Sequence, residues 1–471
     1  MGTPDIETPL IVDLDGTLIK TDLLVETGLA LALAAPLQAI SALFLKKAAR
    51  KAYVAERITP DWSHIPLNTD VLAFLQQEKS RGRKLYLASG SDARYVNEIA
   101  ERLEIFDGVL ASDGTVNLSG KTKAERLCTL FGEGGFDYIG NALVDIPVWE
   151  AARNAYVVAV QFFILQRIKR QLPSIITIGG PEKRIKDYLQ AMRIYQWVKN
   201  LLIFVPAFTA HEFMPALFHN LIAFLAFSFG ASSCYLLNDL FDLGHDRANP
   251  AKRERALASG RVNPDHGAVL VLLLLAGAGL LSLCLPFQFS LLLIAYYIST
   301  CAYTLWLKRL VILDVVVLAC FYGVRLIAGS VATGIMLSPW LAGFSLFFFL
   351  FLALIKRCVE LSNYKYQNIG APAGRGYQIE DLGIMQAMAI ASGYVSVLVL
   401  ALYINSSAVA ALHRYPERLW LLCVLLIYWI SRIMLLVSRR QMHSDPVLFA
   451  IKDKASLIVL ALSFVVFAIS T

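Results

Sequence analysis

The sequence predicts two folds in tandem: an α/β Rossmann-like domain over residues 1–165, then an all-α polytopic membrane bundle over residues 191–471. Three observations carry this expectation. A short apolar run, residues 9 to 14, reads as a buried strand and places Asp13 and Asp15 at its end. From Gln196 onward, windows of roughly 17 to 22 apolar residues recur near positions 203, 227, 276, 296, 320, 346, 394, 427 and 459, giving about nine spans. The 471 residues are also 57% hydrophobic, with a mean hydropathy of +0.58, too long and too apolar for one soluble domain.

The links between the spans alternate in charge. Arg247 to Arg261, Lys308 with Arg309, Lys356 to Arg375 and Arg432 to His443 are rich in Lys and Arg, whereas the links around Pro215, Pro286 and Thr333 have none. By the positive-inside rule the basic links and the N-terminus are cytoplasmic and the C-terminus is outside, in a bacterial-type inner membrane. The link around Arg414 and Arg418 is the exception. The net charge of +7 is therefore a topology signal, and no nucleic-acid partner is indicated. The first 20 residues lack the basic and apolar regions of a signal peptide. Seven scattered cysteines, without metal-ligand spacing, read as small buried hydrophobes.

Within the first 165 residues, the strand at 9–14 leads into Asp13-Leu-Asp15-Gly16-Thr17-Leu18. Leu23 to Phe44 is apolar enough to pass for a transmembrane helix. A single crossing there would put Asp13 and Ser89 on opposite faces of the membrane, so the stretch reads as a cap helix within an insertion at about 20–80, at the bilayer surface. Lys84 to Ser89-Gly90 is a second strand ending in a hydroxyl. Lys123 opens a helical stretch, Ala124 to Phe131, with Lys121 as the other basic residue there. Tyr138-Ile-Gly140-Asn141 leads to Asp145 and Pro147. Ala155 to Leu165 finishes the sheet, and residues 166–190 form a linker and an interfacial helix, marked by Pro173 and Gly179-Gly180-Pro181.

The strand ending in Asp-x-Asp-Gly-Thr resembles the nucleophile motif of the haloacid dehalogenase (HAD) superfamily of phosphatases and phosphotransferases. The resemblance implies that Asp13 attacks phosphorus to form an aspartyl phosphate and that Asp15 protonates the leaving oxygen and then activates water. Ser89 would bind the transferring phosphoryl group and Lys123 would screen its charge. Asp13, Asn141 and Asp145 would hold Mg²⁺. Asn141 departs from the family pattern, which has an acid there; a neutral oxygen ligand weakens metal binding without abolishing it.

The second chemical signal is Asn238-Asp239-Leu-Phe-Asp242-Leu-Gly-His-Asp246, at the cytoplasmic end of an apolar segment. On a helix, offsets of three, four and seven place the three carboxylates on one face, with Asn238 one turn before Asp242. Carboxylates crowded this way repel unless a hard cation lies between them, and a carboxylate-held Mg²⁺ completes its shell with water and phosphate oxygens. Lys252, Arg253 and Arg255 follow within ten residues, as a bound diphosphate requires. The motif reads as a magnesium-diphosphate clamp at a membrane surface.

Together with Arg193-Ile-Tyr-Gln-Trp197-Val-Lys199-Asn200, this clamp resembles the UbiA superfamily of intramembrane prenyltransferases, over residues 190 to 471. The resemblance implies a helical bundle with a central cavity open to lipid. Members that use prenyl diphosphate carry a second acidic cluster after the sixth span. Here that place reads Lys356-Arg357-Cys-Val-Glu360-Leu361. With Lys308-Arg309, Asp314 and Arg325-x-x-x-Gly329, it looks like the decaprenyl-phosphate phosphoribosyltransferase branch, whose donor is phosphoribosyl pyrophosphate (PRPP) and whose acceptor is a polyprenyl phosphate. Three phosphate groups suit one acidic clamp and several cations better than two acidic clusters.

The implied ligand set is Asn238, Asp239, Asp242 and Asp246 around metal and diphosphate, and Lys252, Arg253 and Arg255 on the donor phosphates. Lys356, Arg357 and Arg325, beside Glu360, are expected on the 5-phosphate or the lipid phosphate, and Lys199 with Asn200 on the lipid phosphate; Tyr377, after Arg375, is a weaker candidate. Mg²⁺ is the expected cofactor in both domains, and a homo-oligomer is left open. The alternatives are transfer of a prenyl group from prenyl diphosphate to an aromatic acceptor, and a lipid-binding scaffold with two inactive sites.

Overall fold

The computed structural model describes residues 7–158, 162–179, 185–250, 252–367, 376–442 and 445–470. The chain forms two compact units, one of Met1–Arg193 with Tyr235–Leu273, the other of Ile194–Cys234 with Leu274–Thr471.

In chain order, β1 (Leu10–Val12) leads to α1 (Leu23–Ala34), α2 (Pro36–Leu43), α3 (Lys47–Ala55), α4 (Thr69–Ser80) and β2 (Leu85–Asp92). There follow α5 (Ala93–Leu103), β3 (Gly108–Ser112), α6 (Lys121–Phe131), β4 (Asp137–Gly140), α7 (Ile146–Ala151) and β5 (Ala155–Val158). Two more elements, α8 (Phe162–Gln171) and β6 (Ile176–Ile178), fall largely in the stretch expected to be linker. The sheet therefore continues one strand beyond Ala155 to Leu165. Gly180 and Pro181 lie outside the described residues.

All six strands are parallel, in the order β3-β2-β1-β4-β5-β6. This is a doubly wound sheet, as a Rossmann-like fold requires, and the crevice at the strand carboxyl ends beside β1 is its natural ligand site. Both faces are covered, which is why β1 is apolar throughout. Leu10 and Val12 pack with Leu85 and Leu87 on one face, while Ile11 packs with Ala88, Tyr138 and Trp149 on the other.

The apolar stretch after β1 is two helices rather than one. Asp22 caps α1 by accepting from the Val25 amide at 2.9 Å, and Pro36 starts α2, so the expected single cap helix is interrupted. With 12 residues, α1 is about 18 Å long, too short to span a bilayer. On α2 and just after it, Leu37 and Phe44 are 82% and 85% exposed.

Next come α9 (Ile185–Ala191), a 3₁₀ helix (Ile194–Phe204), α10 (Val205–Thr209), α11 (Phe213–Phe241) and α12 (Leu243–Ala248). The remainder is α13 (Pro264–Ser282), α14 (Phe287–Leu305), α15 (Leu313–Thr333), α16 (Pro339–Gln367), α17 (Leu382–Ile404), α18 (Ser407–Leu412), α19 (Trp420–Ser438), α20 (Pro446–Lys452) and α21 (Lys454–Ser470). Seven helices among the described residues are long and apolar enough to cross a membrane, or eight if α20 and α21, bent by 84°, count as one span.

The expected nine are thus corrected at the segment near 203, which is a 3₁₀ helix followed by a Pro206-containing turn of α helix. It packs tightly: a Cβ added to Gly329 would lie 1.9 Å from the Ile203 carbonyl oxygen. The membrane core centres on Phe351, Leu354, Ile355, Ile430 and Ile433, all fully buried.

Candidate functional site

In the first unit, the expected HAD-type residues converge at the carboxyl ends of the strands. Asp13 directly follows β1 and lies 2.8 Å from the Nζ of Lys123, which α6 carries in its first turn. Lys123 also donates to the Tyr138 hydroxyl at 2.9 Å, and that hydroxyl donates to Asp145 Oδ1 at 3.0 Å. Asp145 Oδ2 accepts from the Asn141 and Ala142 amides, 3.2 and 3.1 Å away. Burial alone would drive the Lys123 ammonium toward neutrality, but the charges of Asp13 and Asp145 outweigh it and hold the pKa above the usual lysine value. Burial, with help from Asp13, pushes Asp145 up to about 6.

Asp15 is held from the other side. Its Oδ1 accepts from the Leu23 amide at 2.9 Å, and its Oδ2 from the hydroxyls of Ser91 at 2.5 Å and Ser89 at 3.3 Å. Burial first, then the nearby Asp22 charge, raises Asp15 to about 7 against those hydrogen bonds. Gly16, directly after Asp15, turns the chain with φ +73°, and a Cβ there would fall 2.1 Å from Asn141 Nδ2, so only glycine lets Asn141 settle against this loop.

The cavity around these groups, about 220 Å³, is also lined by Thr21, Asp22, Lys47, Lys51, Gly90 and Ser119, and by Asn263 and Asp265. Lys51, from α3, donates to the Gly90 carbonyl and, at 2.8 Å, to Asn117 Oδ1.

The clamp lies in the same unit. α11 ends at Phe241 and Asp242 caps α12, so the carboxylates straddle a helix break rather than one continuous helix face. Helical spacing nonetheless survives across it, since the Asp242 amide donates to Asn238 O at 2.9 Å and the Asp246 amide to Asp242 O at 2.8 Å. Arg255 Nη1 bridges Asp239 Oδ1 at 3.1 Å and Asp246 Oδ2 at 2.6 Å, and Arg193 also pairs with Asp239. Lys252 Nζ stands 3.6 Å from Asp246 Oδ1, whereas Arg253 is 64% exposed and pairs only loosely with Glu254.

The expected basic groups fall into separate places within the second unit. Lys199 and Lys356 meet at Asp445, with Nζ atoms 2.7 and 3.6 Å from its Oδ2. Arg325 Nε donates to Asn200 Oδ1 at 2.7 Å, Asn200 Nδ2 to Ser228 at 2.9 Å, and the Arg325 guanidinium faces the rings of Phe227, Tyr296 and Tyr322. Arg357 is fully enclosed: Nε binds Asp314 at 2.6 Å, Nη2 the Tyr303 hydroxyl at 3.0 Å, and Nη1 pairs with Glu360. Tyr377 donates to the other Asp314 oxygen. Arg375 lies outside the described residues.

Among the described residues no three His, Cys, Asp or Glu side chains form a ready metal cage. The oxygen donors nonetheless suit Mg²⁺, which takes one or two carboxylates and fills the rest of its shell with water and phosphate. Asp13, Asn141 and Asp145 supply such donors in the cavity. In the clamp, Asp246 Oδ1 is buried and accepts no hydrogen bond among the described residues, with Lys252 Nζ 3.6 Å away, a site where a cation would be favoured.

Sequence reasoning missed Lys51, Ser91, Tyr138, Asp265 and Asp445 as site groups. Tyr138 sits inside a recognised segment and Ser91 just beyond one, two residues after Ser89 on β2, where side-chain alternation made it accessible; Lys51, Asp265 and Asp445 carry no local signal, because only the tertiary fold brings them in.

The fold and these sites define a multi-pass membrane protein with an N-terminal parallel α/β domain. The model of the UbiA prenyltransferase family matches residues 201–458, and the chain belongs to that family. It is 35% identical over 460 residues to the uncharacterized protein y4nM of Sinorhizobium fredii, covering 96% of this chain and 89% of that one. It is 32% identical over 275 residues to the nodulation protein NoeC of Azorhizobium caulinodans, 58% of this chain and 89% of that one. It is 35% identical over 192 residues to decaprenyl-phosphate phosphoribosyltransferase of Mycolicibacterium smegmatis, 39% of this chain and 60% of that one.

Proposed function

We propose that the chain transfers the 5-phosphoribosyl group of PRPP to a polyprenyl phosphate, and that its N-terminal domain then removes the 5-phosphate, on the cytoplasmic face of the membrane. The observation that carries the donor assignment lies on α16. Where a prenyl-diphosphate enzyme of this family would need its second acidic cluster, the chain has Lys356 and Arg357, and the carboxylates there, Asp314 and Glu360, are engaged by Arg357. The partial likeness to a decaprenyl-phosphate phosphoribosyltransferase supports the same donor.

In the transfer step an oxygen of the lipid phosphate attacks the anomeric carbon of ribose, the bond from that carbon to the diphosphate oxygen breaks, and pyrophosphate departs. Asn238, Asp239, Asp242 and Asp246 would hold Mg²⁺, which when bound neutralises charge on the leaving diphosphate. Arg255 and Lys252, already against the clamp carboxylates, add fixed positive charge for the donor phosphates. Lys199 and Lys356, gathered at Asp445, receive the lipid phosphate.

In the second step Asp13 attacks the 5-phosphate, the bond from phosphorus to the ribose oxygen breaks, and that oxygen takes a proton from Asp15. Water, deprotonated by Asp15, then releases phosphate from Asp13. Lys123 holds Asp13 in place and offsets charge on the phosphoryl oxygens. Asp13, Asn141 and Asp145 would hold the Mg²⁺ of this site.

Incubation of the full chain in membranes with polyprenyl phosphate and either PRPP or prenyl diphosphates, read by mass spectrometry of the lipid, tests the scheme. PRPP is expected to yield dephosphorylated lipid-ribose, and Asp13→Asn to stop at the 5-phospho product. Turnover of prenyl diphosphate without use of PRPP would replace this assignment with prenyl transfer. A wild-type reaction that stops at the 5-phospho lipid would remove the phosphatase step.

A further inference from the structure

The cavity that holds Asp13 is not walled by the N-terminal domain alone. Asn263, at the end of the segment that follows the clamp, and Asp265, in the first turn of α13, line it together with Asp22 and Lys51. Two contacts fix this segment against the α/β domain. Arg247 Nη1 pairs with Glu26 of α1 at 2.7 Å, and both side chains are largely buried. Glu26 in turn accepts from Thr21, itself a lining residue, at 2.8 Å. Gly260, at φ +73°, sits so close to Lys20 that a Cβ would approach Lys20 Cβ to 2.4 Å.

The lining is chemically two-sided. Lys123, Lys51 and Lys47 supply cations that suit a phosphoryl group on Asp13. Asp22 and Asp265 supply carboxylates, which repel a phosphate but accept hydrogen bonds from hydroxyls, and Asn263 adds a neutral amide. Asp265 Oδ1 is buried and has no hydrogen-bond partner among the described residues, a cost that a bound donor would relieve, while the rest of the side chain is open, 43% exposed, with Oδ2 3.8 Å from His266 Nε2. Asn263 is only 8% exposed, and its amide can both donate and accept. The charge of Asp265 also reaches into the cavity: burial first, and Asp265 with it, push the Asp22 carboxyl above its ordinary value.

We infer that Asn263 and Asp265 are specificity residues of the phosphatase cavity, binding the hydroxyls of a phosphorylated sugar whose phosphate faces Asp13. The inference rests on the phosphatase assignment above and adds to it the class of substrate, a polyhydroxy phosphomonoester such as a pentose 5-phosphate. The residues that read the sugar thus come from the segment that also carries the transferase clamp, including Asp246 and Arg255. A site built to bond hydroxyls discriminates strongly against analogues that lack them, because its buried polar groups are then left unpaired.

The test uses the full chain with two soluble probes, ribose 5-phosphate and p-nitrophenyl phosphate, the second having no sugar hydroxyls. The ratio of kcat/KM for ribose 5-phosphate to that for p-nitrophenyl phosphate is expected to fall at least tenfold in Asp265→Asn and in Asn263→Leu. An unchanged ratio in both overturns the inference. In parallel, calorimetry measures ribose 5-phosphate binding to the Asp13→Asn chain with and without Asp265→Asn. A tenfold weaker Kd in the double variant supports the inference; equal affinities, or no binding to either, overturn it. If binding weakens as expected between those two chains while the wild-type chain hydrolyses neither probe, the phosphatase assignment alone is overturned.

Discussion

The guanidinium of Arg255 lies 2.6 Å from the Asp246 carboxylate and bridges it to Asp239, so the acidic motif carries a cation of its own chain between its carboxylates. Burial pushes Asp246 above the usual carboxylate range despite Arg255 and Lys252, so its ionised form is held against a desolvation cost.

Arg255 and a metal ion would compete for the same oxygens while cooperating on a bound diphosphate. Arg255→Gln is therefore expected to tighten binding of Mn²⁺ alone, followed by electron paramagnetic resonance, yet to lower kcat/KM for PRPP by about 100-fold, the scale of one lost charge-stabilising donor. Tighter metal binding with unimpaired transfer would show that Arg255 only balances charge.

Lys123 links the Asp13 side of the cavity to Asp145, through Tyr138 and directly at 4.0 Å. Lys123→Met should lower removal of the 5-phosphate by at least about 100-fold while leaving phosphoribosyl transfer in place. The mass spectrum of the lipid product then shifts to the 5-phospho form. Loss of both activities would point instead to collapse of the domain.

Gly329 has no room for a side chain, with a Cβ placed 1.9 Å from the Ile203 carbonyl, whereas Gly323 on the same helix has nothing within 4 Å. Gly329→Ala is expected to destabilise the membrane bundle by about 1–3 kcal/mol, the range for overpacking. Gly323→Ala should leave it unchanged or slightly firmer. Melting in detergent micelles distinguishes the pair, and equal melting temperatures would mean that the 3₁₀ segment yields.

Asp137, at the start of β4, is 1% exposed and accepts from Arg153 Nε and Nη2 and from the Asn154 amide, each at 3.1 Å, as well as pairing with Arg83. Burial alone would raise its pKa, but the hydrogen bonds from Arg153 and Arg83 outweigh it and hold the carboxyl below the ordinary value. Its contribution to stability is then fully present above about pH 4 and is lost as pH falls through the lower folded value. Asp137→Asn should make the α/β domain about 3–5 kcal/mol less stable at neutral pH, and should flatten its acid dependence in limited proteolysis. A variant with wild-type acid sensitivity would move that dependence to other carboxylates.

How far the sequence could be read followed the range of the forces involved. The buried strand through Val12, the strand that carries Ser89 and the helix that opens near Lys123 are local patterns and appear where the sequence put them, whereas the run from Asn238 to Asp246 keeps its helical hydrogen bonds but is broken at Asp242. Hydropathy overcounted the spans, because it registers apolar length and cannot see that Ile203 must narrow its helix to pass Gly329. It also could not show that Arg357 is enclosed by Asp314, Glu360 and Tyr303, or that Lys199 and Lys356 share Asp445, since those partners lie far apart in the chain.

The buried pair between Arg247 and Glu26 bears on how this gene product can be dissected. Severing the chain after the α/β domain, at the place where composition changes, would strip an enclosed guanidinium of its counter-ion and uncover the glycine seat on Lys20. Each fragment would then carry a raw surface where the other had been. Separate expression of the two halves is therefore a poor route to two working enzymes, and co-expression, which lets Glu26 find Arg247 again, is the better one.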